Sequence, residues 1–404
     1  MTPDILIVGA GSAGCVLAER LSRDRRRRVT VVERGPDEVF AAPLDRLPID
    51  AADRALPIVE RGGRPIVRGT GVGGSSSING AYFLRGHRAD YTSWPWAADE
   101  LDAAFDAADE AMRATPFADD DLGDVARTFE EAYGSDVNTR PWPSDGVNRV
   151  WSNRVDGARW TAGHVLAVAA DRPGLTVRCG VEVAELVTSG DAVTGVRTVT
   201  GEVIGAGEVI VCAGTLGTAR LLGPLVGPLP VHEHAERIVR FTPRTTVRAP
   251  ALLQTVLHID GMEIRPYGDD FAAFTSLEPT GVPIGVADMA GTTGRLDGDT
   301  VDLGEPDDPS AARLSRGVDT VVELLNGKVF ADLVEPGSVR VDPMIGMSQH
   351  AWGSLPAGSA TDVDGRVKGW RRLRVVDGSI LPGPLRSGPH ATIVALATII
   401  ASRF

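Results

Sequence analysis

The run that most restricts what this chain can fold into is Asp4-Ile5-Leu6-Ile7-Val8 followed at once by Gly9-Ala10-Gly11-Ser12-Ala13-Gly14. A short, almost wholly apolar segment predicts a strand buried on both faces in a parallel sheet. Helix formers continue from Cys15 to Leu21, and Val29-Thr30-Val31-Val32-Glu33 is a second apolar run. Strand, turn, helix and strand make one βαβ unit. Each glycine has its own reason: Gly9 permits the tight turn, Gly11 lets backbone approach a pyrophosphate, and Gly14 lets the helix pack on the strand. The helix N-terminus, with Ser12 and Ala13 in its first turn, offers free N–H groups to an anion. Glu33 ends the second strand where a ribose hydroxyl would be accepted, with Arg34 beside it. The pattern implies a dinucleotide and leaves NAD and FAD both open.

The 404 residues exceed one usual domain, so two lobes are expected. With 43% hydrophobic and 24% charged residues the chain reads as an ordinary globular protein. A net charge of −13 disfavours nucleic acid, whose phosphates need clustered cations. The one basic run, Arg25 to Arg28, falls between a predicted helix and strand, where cations near a helix C-terminus are favoured anyway. Cys15, Cys179 and Cys212 are scattered through apolar surroundings and read as core filler; the absence of CxxC argues against disulfide reductases. No run of about 18 apolar residues occurs, so no membrane span is expected. With no leader ahead of the first strand, a cytoplasmic location is expected.

Helices are predicted over 99–112, 162–171, 311–333 and 392–401, and strands over 176–178, 181–187, 193–199, 208–213 and 373–376. Residues 116–160 lack clean periodicity, and 230–300 read mostly as β, with alternation in Leu252–Ile259.

A second glycine-rich stretch, Arg68-Gly69-Thr70-Gly71-Val72-Gly73-Gly74-Ser75-Ser76-Ser77-Ile78-Asn79-Gly80, resembles the first signature of the glucose–methanol–choline (GMC) oxidoreductases, and Arg85-Gly86 follow at the family's spacing. Four further stretches are similar in order and spacing: Val183 in its strand, Ala213 to Leu222 with Thr218-Ala219 in place of the family's Ser-Pro, Val375 to Pro382, and Thr392-Ile393 opening the last helix. The resemblance covers about residues 4–112, 160–222 and 335–404. It implies an α/β fold with a Rossmann-like FAD-binding lobe and a second, β-sheet-based substrate lobe. The FAD lobe would be discontinuous, from 1–112, 161–229 and 336–404, with 113–160 and 230–335 forming the substrate lobe. It implies that Gly73, Gly74 and Ser75 follow the FAD diphosphate, that Asn79 and Gly80 approach the flavin ring, and that Val183 crosses the adenine. Ala213, Gly214, Asp377, Gly378, Thr392 and Ile393 would complete the contacts, the last helix N-terminus suiting the charge of reduced flavin. Ile78 stands where some members carry a histidine bonded to FAD, so non-covalent FAD is expected.

The activity implied is oxidation of an alcohol CH–OH to a carbonyl, with the hydride passing to flavin. An imidazole suits the proton step because its pKa of about 6.5 lets it take and return a proton near neutral pH. His350, in Gln349-His350-Ala351-Trp352-Gly353-Ser354, resembles the family's H-x-x-G-T motif and is the expected base. The second catalytic position departs from the family: Gly388 occupies the usual Asn or His place in Ser387-Gly388-Pro389-His390-Ala391-Thr392, and His390 is expected to take the role from a shifted position. His232, His234 and His258 read as structural, and no metal is expected. The compact length and the Gly-Pro-His-Ala-Thr ending resemble the actinobacterial GMC dehydrogenases associated with the peptide-derived cofactor mycofactocin, which would make a small-molecule alcohol or that reduced cofactor the substrate, with an onward electron acceptor. The rival readings are an alcohol or sugar oxidase using O₂ and a non-catalytic flavin-binding relay.

Overall fold

The computed structural model describes residues 2–134 and 136–404. A five-stranded sheet, all pairs parallel, runs in the order Leu373–Val375, Glu208–Val211, Ile5–Val8, Val29–Val32, Leu175–Arg178. Ile5 to Val8 sits at its centre and is buried throughout, as its apolar composition requires. Helix Ser12–Leu21 follows, and Cys15, Val16, Leu17, Ala18 and Leu21 are buried. The last helix, His390–Ser402, packs against both Ser12–Leu21 and Ala98–Ala111. Its residues from Ala391 to Ile400 are buried except Ile393, which explains why it is apolar all round rather than striped. A three-stranded antiparallel sheet, Val183–Ser189, Ala192–Thr198 and Val203–Gly205, and the hairpin Ala55–Val59/Pro65–Gly69 also belong to this lobe.

The second lobe is an antiparallel sheet ordered Arg340–Val341, Ala235–Phe241, Val282–Asp288, Met262–Pro266, Thr255–Ile259, Gly146–Arg149, with Gly346–Met347 also paired to Ala235–Phe241. Its alternation sorts side chains cleanly. Val239, Phe241, Leu257, Met262, Ile264, Val282, Ile284 and Val286 form an apolar core with Leu314, Val321 and Leu325 of helix Asp308–Leu325. Gly317 lets that helix approach: a Cβ there would stand 2.5 Å from Val286 and 2.7 Å from the Met262 sulfur. Glu236, Glu263 and Arg265, out of step with those residues, lie on the opposite face and are nonetheless buried.

Three sequence expectations shift. The boundary expected at 336 falls inside this sheet, because the two-residue strands Arg340–Val341 and Gly346–Met347 are too short to leave a period in the sequence. The helix expected over 311–333 runs instead from Asp308, capped by Asp307 accepting from Ser310 N at 2.9 Å, to Leu325 before Asn326-Gly327. The aperiodic 116–160 segment holds a helix, Asp124–Tyr133, that buries Val125, Ala126 and Phe129. The arginine run is dispersed into local pairs: Arg26 with Asp24, Arg28 with Asp4, and Arg27 with the Phe404 carbonyl. Among the described residues no helix is long and apolar enough to cross a membrane.

Candidate active site

The glycine track expected for a dinucleotide is continuous. Gly9 has φ +102°, and a Cβ there would lie 2.5 Å from the Cys212 carbonyl oxygen. Gly14 packs equally tightly on the Gly9 carbonyl. Gly11 differs: a Cβ there would meet nothing nearer than 4.0 Å, and the helix it precedes has no side-chain cap. Its first N–H groups are therefore free for an anion, as are those of any uncapped helix start. Gly74 brings the second loop onto the first, its would-be Cβ 2.8 Å from Gly11 Cα, and Gly73 N donates to the Ala10 carbonyl at 2.8 Å.

Glu33 ties the turns together. Its carboxylate accepts from Ala10 N at 2.8 Å, Gly35 N at 2.9 Å and Gly71 N at 3.0 Å. A cleft of about 720 Å³ opens beside it, lined by Arg34, Gly35, Pro36, Thr70, Gly180 and Glu182 among others, next to the buried Val183. Asp377 is also a tie: it accepts from Thr218 Oγ1 at 2.5 Å and Ser379 N at 2.8 Å, fixing Gly378 near the Ala213-Gly214 turn. A Cβ on Gly214 would meet nothing within 4 Å, leaving that backbone open as well. Thr392 shares a 2.8 Å hydrogen bond with the Tyr91 hydroxyl, and Ile393 beside it is half-buried.

The two candidate catalytic histidines have separate neighbours. Asn79 Nδ2 lies 3.3 Å from His390 Nδ1, and the His390 ring stands edge-on to Phe83. Burial pushes the His390 pKa down to about 4. His350 is reached through Gly388, whose would-be Cβ lies 3.3 Å from both the His350 ring and the Tyr82 ring. His350 is held from behind: its backbone N donates to Glu233 at 2.7 Å, and Ala351 N donates to the same carboxylate at 2.9 Å. Gln349, at φ +69°, accepts from Val67 N at 2.8 Å and donates to the Pro65 carbonyl at 3.1 Å, clamping the loop to hairpin 55–69. Burial, with Arg265 and His234 nearby, holds the His350 pKa well below the usual histidine range. The imidazole is therefore neutral at pH 7, the form that can accept a proton.

Sequence reasoning passed over the residues around it. His234 Nδ1 lies 3.1 Å from His350 Nδ1. His258 Nε2 contacts Glu263 at 2.9 Å, Tyr82 donates to Glu263 at 2.6 Å, and Arg265 pairs with Glu263 at 2.6 Å and Glu236 at 3.1 Å. Ser348 donates to Glu236 at 2.9 Å, and the Tyr267 hydroxyl donates to the same carboxylate at 3.2 Å. Each buried charge is thus paired, which is the condition for burying it. The available signal was the alternation Met262-Glu263-Ile264-Arg265, charged on one face only. Glu233, His234 and His350 bring one possible ligand atom each within 4.8 Å. Both Glu233 oxygens already accept N–H groups, and Arg68 and Arg265 face the group, so hydrogen bonding accounts for it. His232 bonds the Thr292 carbonyl at 3.0 Å.

Residues 3–224 match the N-terminal family model described as GMC oxidoreductase, and residues 306–397 match the C-terminal one. The chain is a GMC oxidoreductase. This GMC protein is 32% identical, over 98% of its length and 96% of the relative's, to an uncharacterized GMC-type oxidoreductase of Rhodococcus erythropolis. That alignment spans 483 positions against 404 residues here, so it contains gaps in this chain. It is 28% identical over 54% of its length, and 47% of the relative's, to an alcohol dehydrogenase [acceptor] of Pseudomonas putida. Pyridoxine 4-oxidase of Mesorbium loti shares the fold, with TM-score 0.84 at 20% identity over 100% of this chain and 99% of that one. The GMC protein is an enzyme, a flavin-dependent oxidoreductase acting on the CH–OH group of alcohols, and FAD is the cofactor its family indicates. The track fits that group: two open glycines, an uncapped helix start, and the buried, unpartnered His390 Nε2 and Ser387 Oγ at its end.

Proposed function

We propose that this enzyme oxidises an alcohol with His350 as the general base and passes the electrons to an acceptor other than O₂. The observation that carries the base assignment is a neutral imidazole in contact with His234, on a backbone held by Glu233. His350 Nε2 takes the hydroxyl proton, and its grip from behind keeps the ring in one orientation, which is what makes a positioned base effective. Tyr82, beside the same glycine and anchored on Glu263, orients the alcohol. His390 acts from its place on Asn79, as the second polar group of the site. Bound FAD supplies the acceptor for the hydride that leaves the carbinol carbon. Gly9, Gly11, Gly14, Gly73, Gly74 and Ser75 would hold its diphosphate, Glu33, Arg34 and Val183 its adenosine end, and Asn79, Gly80, Gly378 and Thr392 the ring, and Ile78 would offer no nucleophile for a covalent bond.

The acceptor-linked reading is supported by the mycofactocin-type ending and by the acceptor-linked alcohol dehydrogenase among the relatives. An anaerobic screen of alcohols, reduced mycofactocin among them, is expected to bleach the flavin absorbance with at least one class. Turnover with O₂ is expected to be slow beside a phenolindophenol dye. No bleaching with any alcohol favours the relay reading, and equal oxygen and dye rates favour an oxidase.

A further inference from the structure

We propose that His234 is a positioning residue for the base: its Nδ1 accepts a hydrogen bond from His350 Nδ1–H, which leaves the lone pair of His350 on Nε2, facing the alcohol. The inference rests on His350 being that base.

The geometry is direct. The two Nδ1 atoms are 3.1 Å apart and the rings stand at 88°. A contact of that length between ring nitrogens needs one proton between them, so one ring donates and the other accepts. The direction follows from the role of the base: a proton on His350 Nδ1 is the arrangement that leaves its Nε2 free to accept. On the His350 side, Nε2 points toward Gly388, where no side chain stands in the way. The neighbour thereby sets which nitrogen of His350 is basic.

His234 is itself immobile. It is buried, its ring packs 4.4 Å from Trp352 centroid to centroid, and its segment is bridged to the His350 loop by His232 N donating to Trp352 O and Trp352 N donating to His232 O. Glu233, one residue before it, accepts from the backbone of His234, His350 and Ala351, so acceptor and base hang from a single carboxylate. When the alcohol proton arrives on His350 Nε2, the ring becomes a cation and its bond to His234 becomes charge-assisted. That matters here because burial, Arg265 and Arg68 oppose a charge on His350, as a charged His234 would, while Glu263 favours it; burial keeps His234 neutral and so able to accept. The proton balance is simple: the alcohol O–H breaks, His350 Nε2–H forms, and the α-hydrogen leaves with its electron pair to FAD as the C=O forms.

The test combines spectroscopy with kinetics. Nitrogen-15 NMR of histidine-labelled protein is expected to find His350 protonated on Nδ1 in the wild type. His234→Leu, which cannot accept, is expected to lose that preference and slow anaerobic flavin reduction about tenfold to a hundredfold, the worth of one charge-assisted bond. FAD content and the alcohol concentration for half-saturation are expected to change little. His234→Gln, whose amide oxygen can accept, is expected to recover the tautomer and most of the rate. A wild-type His350 protonated on Nε2, or wild-type reduction by His234→Leu while His350→Ala is inactive, overturns the inference. Normal reduction by His350→Ala would instead remove the base assignment beneath it. Should His234→Leu fail to fold, the wild-type tautomer and the His234→Gln rate still decide.

Discussion

Gly388 lies against His350: a methyl group built on it would sit 3.3 Å from the imidazole Nε2 and Cε1, and as close to the Tyr82 ring. The position where the family resemblance would place an Asn or His is thus beside the proposed base, and in this chain it is bare. Gly388→Ala would crowd both rings. Forcing a methyl into a packed site costs about 1–3 kcal/mol, so flavin reduction is expected to fall about tenfold or more with FAD still bound. Stopped-flow reduction beside the absorbance ratio of flavin to protein checks this, and an unchanged rate would show the space to be spare.

His350→Ala is expected to slow reduction by about 10²–10⁴-fold without loss of FAD. His390 contacts Asn79 and Phe83, with Gly388 rather than His390 abutting the base. His390→Ala is therefore expected to slow reduction less than His350→Ala, and the double variant to lose less than the two single losses combined. Equal single losses would put His390 at the reacting atoms.

Glu33→Ala should do more than weaken FAD. Its carboxylate satisfies three backbone N–H groups from three separate turns. Leaving buried donors unpaired costs about 1–3 kcal/mol. Apoprotein titration is expected to show FAD affinity reduced at least tenfold, and urea melts of the apoprotein a lower midpoint. A variant with wild-type FAD affinity would remove Glu33 from the cofactor site.

Acid or heat precipitation is expected to release free FAD into the supernatant, since Ile78 offers no atom for a covalent bond. Yellow colour retained by the pellet would contradict this.

His87 is buried, its Nε2 has no partner, and its pKa is pushed down to about 3, chiefly by burial and then by His258 and Arg386. The unfolded chain then binds a proton below about pH 6.5 that the folded one refuses, so stability is complete above that pH and declines as pH falls toward the folded value. Asp109, raised to about 6 by burial, works in the opposite sense, gaining stability as pH falls from there. Asp109 is common to both proteins when His87→Gln is compared with the wild type. The variant's stability is expected to fall less steeply between pH 6.5 and 5, by about 1.4 kcal/mol per pH unit. Parallel curves in denaturant melts across that range would show that His87 titrates normally.

The sequence by itself determined the dinucleotide end of the site, and the reason is local. Gly9 turns at φ +102° and Gly14 packs on the Gly9 carbonyl within one βαβ unit, so those requirements are written in a single short string, although the distant Cys212 carbonyl also crowds Gly9. The positive φ of Gly73 and Gly74 is likewise a demand of their own turn, and the burial of strand Ile5–Val8 on both faces shows as an unbroken apolar run. Tertiary structure alone decided the chemical end. His234 and His350 are 116 positions apart, and Tyr82 and Glu263 are 181 apart. No period or spacing links such pairs, because what joins them is the antiparallel pairing that carries Glu263 and Arg265 onto the buried polar face, and the bridge of His232 to Trp352. Read singly, a histidine in an apolar β segment is indistinguishable from a core histidine. Only the fold shows that His234 is buried against another imidazole, and that the bare backbone of Gly388, not the side chain of His390, is what lies beside it.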